Sequence, residues 1–203
     1  MDRAQVGQHF TEQVIVAQHL AVVGGENDPG GLVGQGSAVQ KRALWQEADH
    51  IGDEMVTATY FGAAHTNGDA IVHFERANVV HLGDLVFNRL HPFIDRPAGA
   101  SIRHWITVLE EAANHYPKDA IYIYGYGSAK FGGTGGQGDL PVFRDYLSGL
   151  LDHVEREIAA GKSKAEITAL DNLPGFPEFH SAAPNRLSGN LAVAFDELTA
   201  ANG

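Results

Sequence analysis

The sequence contains no cysteine, few basic residues and no long apolar run. The missing cysteine excludes disulfides, thiolate zinc sites, iron–sulfur clusters and a cysteine nucleophile. Only 14 Lys and Arg stand against 25 Asp and Glu, which gives a net charge of −11 at pH 7. Because phosphate backbones and anionic membranes attract basic surfaces, we expect neither nucleic acid nor a membrane as a partner.

The N-terminus lacks the basic and then apolar pattern of a secretory signal, and no apolar run approaches the roughly 18 residues needed to span a bilayer. We therefore expect a soluble protein, and its compartment stays open. The 203 residues are 44% hydrophobic, with eleven histidines, and predict one domain over 1–203.

Alternation of β-branched and polar residues predicts successive strands, and helical spacing of apolar residues predicts helices behind them. The predicted strands are 54–60, 70–74, 78–82 and 121–124. The predicted helices begin at Ser101, near Asp139, at Ser163 and at Asn190; they end before Pro117, at Gly161, at Leu170 and at Ala200. Strands covered by helices of this length predict a layered α/β (α+β) domain.

The composition of the N-terminal segment 1–50 differs from that of the rest of the chain. Two apolar runs, Val14–Ala17 and Leu20–Val23, are each compatible with a short strand or with part of a helix. The glycines, asparagine and proline of 24–31 then predict a loop. We divide the chain into a divergent segment 1–50, a core 54–170 and a C-terminal tail 171–203 with a short helix.

Two groups of polar residues lie at the ends of predicted strands, where loops commonly carry binding and catalytic residues. The first is His65-Thr66-Asn67-Gly68-Asp69, and the second is His81-Leu82-Gly83-Asp84. Taken alone, Asn67-Gly68-Asp69 is typical of an ordinary turn with His65 beside it. The surrounding pattern favours a functional interpretation.

From about Met55 to Ile167 the order and spacing of these motifs resemble the second half of a metallo-β-lactamase-fold hydrolase. The resemblance includes Pro92-Phe93-Ile94-Asp95 and the helix that carries Trp105. It implies an αββα sandwich, incomplete here at its N-terminus, with one or two zinc ions that activate water against an ester, amide, thioester or phosphoester. Carried over by position, His65 matches the third imidazole ligand of one metal, and Asp84 matches the carboxylate that bridges both.

The sequence also departs from this superfamily. The upstream H-x-H-x-D-H motif is absent, and the nearest upstream histidines, His9, His19 and His50, are not spaced like it. Where a Gly-His-Gly turn usually supplies the last ligand, this chain has Gly125-Tyr126-Gly127. A phenol of pKa about 10 must lose a proton to bind metal, whereas neutral imidazole need not.

Two ligands are too few for a catalytic zinc, which takes about three and keeps one position open for water. His81 and His91 are the local candidates to complete the set, although alternation along the strand favours an ordinary strand position for His81. The remaining histidines fall at regular strand or helix positions and are predicted to be surface or packed residues: His73, His104, His115 and His153.

Two functions from different classes follow. In the first, which we favour, the chain is a degenerate metallo-β-lactamase-like protein without hydrolytic activity, in which zinc binds weakly or not at all. In the second, it is a metal-dependent hydrolase in which His65 and Asp84 act with ligands from segment 1–50 or from another subunit. The small-molecule substrate is unknown in both. Because 1–50 is too short to supply the first sheet, an uncovered edge or apolar face would favour a homo-oligomer.

Overall fold

The structure is a computed structural model that describes residues 44–200, in which strands precede and alternate with helices. The strands are β1 (Trp45–Ile51), β2 (Glu54–Tyr60), β3 (Ile71–Phe74), β4 (Val79–His81), β5 (Phe87–Asn88), β6 (Ile121–Ile123), β7 (Tyr126–Gly127) and β8 (Thr134–Gly135). The helices are α1 (Ile102–His115), α2 (Asp139–Ala159), α3 (Lys164–Thr168) and α4 (Arg186–Ala200), with a 3₁₀ turn at Gly83–Leu85.

The main sheet has six strands in the order β1-β2-β3-β4-β6-β8. Its pairs are antiparallel except β4 with β6, which are parallel and are connected through α1. β5 and β7 form a separate two-stranded parallel sheet. The four predicted strands are confirmed as β2, β3, β4 and β6, and the predicted core range 54–170 omits β1, which pairs along the whole of β2.

β1 and β2 are joined by the two-residue loop Gly52-Asp53, with Ile51 opposite Glu54. Gly52 has φ 66°, the positive value that a primed hairpin turn requires at its first central residue. Most of β1 is exposed. Its sequence therefore lacks the buried alternation by which the other strands were predicted.

Alternation of side chains gives the main sheet two faces with separate apolar clusters. On one face, Ile71, Val80 and Tyr122 share a core with residues of all four helices, Trp105 among them. We call this the helical face. On the other, which we call the second face, Val56, Val72, Phe74 and Val79 form a smaller cluster, against which Ile51 and Ile123 pack.

The predicted helix starts at Ser101 and Ser163 are confirmed. The Ser101 side chain accepts a hydrogen bond from the His104 N–H at the start of α1. Ser163 and Glu166 form both halves of a capping box before α3, which ends at Thr168 rather than Leu170. α4 begins at Arg186 instead of the predicted Asn190, so the C-terminal helix is one turn longer than expected.

The described residues thus supply one six-stranded sheet with a layer of helices, together with the two-stranded β5–β7 sheet, which corresponds to part of an αββα sandwich. The mixed α/β class and the incomplete sandwich are confirmed. Between residues 44 and 200, no helix combines the length and apolarity that a bilayer crossing requires. The two apolar runs predicted before residue 24 lie outside the described residues.

Candidate functional site

The His65 loop follows β2 and is fastened to the start of α1. Ser101 N–H donates to the Ala64 carbonyl, and Asn67 N–H donates to the Ala98 carbonyl, at 3.1 and 2.8 Å. These backbone bonds join the loop to the residues just before the helix. The position of His65 is therefore set by packing between β2 and α1, which are separated in the sequence by β3, β4 and β5.

His65 is oriented by a carboxylate within its own loop. Its Nδ1 lies 3.6 Å from Asp69 Oδ1, and Asp69 Oδ2 accepts a 2.6 Å hydrogen bond from Thr66 N–H. The sequence pattern Asn67-Gly68-Asp69 indicates only a turn residue at Asp69. The signal for its second role is its place four positions after His65, which lets a short loop bring the two side chains together.

Aromatic rings surround His65, which is 8% exposed. Its ring centroid lies 5.7 Å from Trp105, 5.8 Å from Phe87 and 6.3 Å from Phe93. Trp105 is itself fixed, because its Nε1–H donates to the Leu85 carbonyl at 3.0 Å. The imidazole is thus confined between Asp69 and an apolar wall.

Asp84 lies in the 3₁₀ turn that follows β4 and is half-buried. Burial has the largest effect on the pKa of Asp84 and raises it. The neighbouring His65 and His81 lower this pKa, whereas the Asp69 carboxylate raises it. Asp84 therefore lies within electrostatic range of His65, Asp69 and His81. Sequence reasoning had assigned two of them, His65 and Asp84, to a common site.

Close backbone packing holds the Asp84 turn against the end of β6. Gly125 N–H donates to the Gly83 carbonyl at 2.7 Å. A Cβ at Gly125 would overlap Asp84 Oδ1 and the Gly83 carbonyl, so the chain needs glycine here. Gly125 thus sets how closely the following residue, Tyr126, approaches the site.

His81 points one of its nitrogens back to its own turn. Its Nδ1 accepts a 3.2 Å hydrogen bond from Gly83 N–H, and burial lowers its pKa, with a smaller opposing effect of Asp84. The neutral ring then carries its proton on Nε2. In this arrangement neither nitrogen offers a free lone pair to a metal ion, and His81 acts as a strand residue that braces the Asp84 turn.

The other candidate ligands lie elsewhere in the structure or contact other side chains. Tyr126 is 49% exposed, and its ring stacks on Phe87 at 4.7 Å, while Phe87 is also a neighbour of His65. His91 is buried, and its Nδ1 lies 2.8 Å from the Tyr146 hydroxyl. His50 is exposed on β1, three strands from β4. His9 and His19 lie outside the described residues.

The residues of regular strands and helices behave as predicted. His73 packs its ring edge-on to Tyr116, His104 contacts the Ala63 carbonyl through Nδ1, and His115 packs on Phe61. Within residues 44–200, no group of three or more His, Asp or Glu side chains is arranged to hold a metal ion. The described donor set therefore does not fit the dinuclear zinc that the resemblance implies.

Comparison with solved structures shows that this architecture is similar to part of two alkylsulfatase structures. A double mutant of the sec-alkyl sulfatase PisA1 matches with a TM-score of 0.56 at 16% identity, over 75% of this chain and 25% of that one. The stereoselective inverting sec-alkylsulfatase Pisa1 from Pseudomonas sp. matches at 0.54 and 16%, over 74% and 25%. The described residues have a metallo-β-lactamase fold.

A metallo-beta-lactamase from Pontibacter korlensis also matches, with a TM-score of 0.40 at 19% identity, over 51% of this chain and 46% of that one. No protein-family model matches the sequence. The chain thus spans about a quarter of the alkylsulfatases and less than half of that lactamase. What it shares with the alkylsulfatases is the metallo-β-lactamase fold. In this chain His65 follows β2 and Asp84 follows β4.

Proposed function

We propose that this chain is a degenerate metallo-β-lactamase-fold protein without hydrolytic activity. The observation that carries the proposal is the state of the donor set in residues 44–200. His65 lies beside Asp69, and Asp84 is within electrostatic range of both, but His81 uses Nδ1 within its own turn and Tyr126 stacks on Phe87. These groups form no three-ligand arrangement.

Physical chemistry connects that geometry with a loss of activity. A catalytic zinc site takes about three protein ligands and lowers the pKa of its bound water toward ~7. Each missing ligand weakens the binding of the ion. Tyr126, at the position of the last imidazole, would first have to give up a phenolic proton. A chain of this kind would persist through binding to a partner or as a regulatory module.

A metal-dependent hydrolase is the second candidate, and one observation favours it. Asp69 lies at Nδ1 of His65, the arrangement by which a second carboxylate orients a metal-binding imidazole and leaves Nε2 available. His65 and Asp84 would then hold the ion with ligands from residues 1–43 or from another chain. The substrate class implied by the resemblance is an ester, amide, thioester or phosphoester.

Metal content decides between the two. The full-length protein, purified without chelator, is compared by elemental analysis with His65→Ala and with His50→Ala, an exposed histidine on β1 that serves as the matched control. We expect no stoichiometric metal in any of the three. Near-stoichiometric zinc, manganese or iron that is lost in His65→Ala but kept in His50→Ala would overturn the proposal.

A hydrolysis screen adds an independent readout. Esters, lactams, thioesters and phosphodiesters are tested with the wild type and with Asp84→Asn. We expect the same background rate for both proteins. A rate that falls at least about 100-fold in Asp84→Asn while the circular dichroism spectrum is unchanged would establish the hydrolase instead.

A further inference from the structure

Three buried polar groups meet between the main sheet and the C-terminal end of α1. They are the Thr59 hydroxyl, Nε2 of His73 and the Tyr116 hydroxyl, and within residues 44–200 none of these atoms has a hydrogen-bond partner. Thr59 has no exposed surface, and Tyr116 is 5% exposed. Because a buried polar group without a partner is costly, such groups in folded proteins bond to the protein or to ordered water.

The strand register brings these residues together. Thr59 lies opposite Ile71 and His73 lies opposite Thr57, so Thr59 and His73 are diagonal neighbours on one face of the β2–β3 pair. That face is the helical face, since Ile71 and Tyr116 both belong to its core. Tyr116 follows the last residue of α1, and its ring packs edge-on to His73 with centroids 5.4 Å apart. Three elements, β2, β3 and α1, therefore each bring one of the polar groups.

Thr59 and Tyr116 are close without a direct bond. Burial raises the pKa of Tyr116, and the nearby Thr59 hydroxyl has a smaller, opposing effect. In the described part of the chain, the two hydroxyls nevertheless make no hydrogen bond with each other. Two polar groups that are near but not bonded are typical of a pair bridged by a water molecule.

Thr57 shows how the same face satisfies a buried hydroxyl with a protein group. It lies two residues before Thr59, is 3% exposed, and donates to Glu75 Oε1 at 2.8 Å. Among residues 44–200, Thr59 has no carboxylate in that role. Burial lowers the pKa of His73, so its ring is neutral at pH 7. Thr59, His73 and Tyr116 therefore need a small neutral partner that both donates and accepts hydrogen bonds.

We propose that one water molecule binds at this place and bridges Thr59, His73 and Tyr116. A buried water typically makes about three hydrogen bonds to polar groups that would otherwise lack a partner. The two hydroxyls can each donate or accept, and Nε2 of the neutral His73 ring offers either a lone pair or an N–H. Water complements every one of these states, so a single molecule satisfies all three atoms.

The water would join the end of α1 to the two strands. The other end of α1 is tied to the His65 loop, where Ser101 N–H donates to the Ala64 carbonyl. α1 has 14 residues, which is about 21 Å at 1.5 Å per residue. The proposed water site is thus separate from the donor groups around Asp84, and it fixes α1 at the end that the His65 loop does not hold.

Oxygen-17 magnetic relaxation dispersion tests the proposal, because it counts water molecules that stay inside a protein. The full-length wild type is compared with Thr59→Val/Tyr116→Phe, which keeps the shapes of both side chains and removes both hydroxyls. Thr57→Val is the matched control, since it removes a hydroxyl from the same face that already has a protein partner. We expect about one long-lived water fewer in the double variant and no change in Thr57→Val. Equal counts in the wild type and the double variant would overturn the proposal.

Urea denaturation gives a second test, in which the sign of the change decides. If the water is bound, Thr59→Val removes one of its partners and should lower the equilibrium constant for folding about fivefold, whereas Thr59→Ser should keep the water. If the site is dry, Thr59→Val removes an unpartnered hydroxyl and the folding constant should rise. A rise would therefore overturn the proposal.

A double-mutant cycle separates a shared water from independent sites. The effects of Thr59→Val and Tyr116→Phe should be less than multiplicative, because either change weakens the same water, while those of Thr57→Val and Tyr116→Phe should multiply. Coupling of Thr59 and Tyr116 with no change in the water count would mean a direct hydrogen bond and would overturn the proposal. None of these measurements depends on metal content, so this proposal and the proposed function fail separately.

Discussion

Glu197 is predicted to hold together the start of α1 and the C-terminal helix α4. Its carboxylate accepts hydrogen bonds from Ile102 N–H and Arg103 N–H, both at 3.0 Å, and from the Ser101 hydroxyl at 3.1 Å. Arg96 Nη1 lies 3.5 Å away. A buried anion at a helix N-terminus pairs with backbone N–H groups that lack partners inside the helix, and it also faces the positive end of the helix dipole.

The magnitude follows from what removal of the carboxylate leaves behind. Glu197→Ala strips two backbone N–H groups of their acceptor, and Ile102 at this position has no exposed surface. A hydrogen bond to a charged group contributes about 1.5–3 kcal/mol, and part of it is regained if water enters. We expect Glu197→Ala to lower the free energy of unfolding by about 3 kcal/mol. Glu197→Gln keeps one acceptor oxygen, so it should lose roughly half of that.

Urea denaturation followed by circular dichroism measures this directly. With a slope of about 2 kcal/mol/M, a loss of about 3 kcal/mol moves the midpoint by about 1.5 M. Asp196→Asn is the matched control, since Asp196 is the preceding residue of α4 and pairs with Lys164 on the surface, where we expect no more than about 0.5 kcal/mol. If Glu197→Ala and Asp196→Asn shift the midpoint equally, the assignment of Glu197 as the cap of α1 is refuted.

Three further predictions concern acid stability, a glycine and association. Burial and His180 lower the pKa of His91 to about 4, so the unfolded chain binds more protons between pH 6.5 and 4. The free energy of unfolding should therefore fall by up to about 3 kcal/mol as the pH is lowered from 6.5 to 4. His91→Gln should reduce this pH dependence, which urea titrations at several pH values measure. Gly125→Ala should cost about 1–3 kcal/mol because its Cβ meets Asp84, whereas Gly136→Ala, where nothing lies within 4 Å, should be nearly neutral by thermal melting. The homo-oligomer expected from the sequence is tested by light scattering at micromolar concentration, where a monodisperse monomer would contradict it.

Sequence reasoning was most successful where a local signal suffices. Ser101 and the Ser163–Glu166 pair mark helix starts through bonds to nearby backbone groups, so their roles are visible without a tertiary structure. Helical spacing of apolar residues likewise predicted α2, whose buried residues include Phe143 and Val154. β1 was missed because an exposed edge strand has no buried alternation, and its identity as a strand depends on pairing with β2.

In the candidate site, too, the sequence indicated some residues, while their contacts depend on the tertiary structure. His65 and Asp84 were assigned from the resemblance to the metallo-β-lactamase fold. That resemblance does not show that Asp69 lies beside His65 Nδ1 or that Gly83 N–H donates to His81 Nδ1. These contacts depend on loop geometry, which is set by residues far along the chain. His91 could be proposed as a substitute ligand only until the fold placed it beside Tyr146.

Local sequence signals were sufficient for the mixed α/β class of the fold and for the helix starts at Ser101 and Ser163. They were sufficient because capping, alternation and turn chemistry act over a few residues. Tertiary packing was needed for the pairing of β1, for the contact of Glu197 in α4 with the start of α1, and for the grouping of charged side chains around Asp84. Each of these brings together side chains from distant parts of the chain, and only the packing of the whole core determines which of them meet.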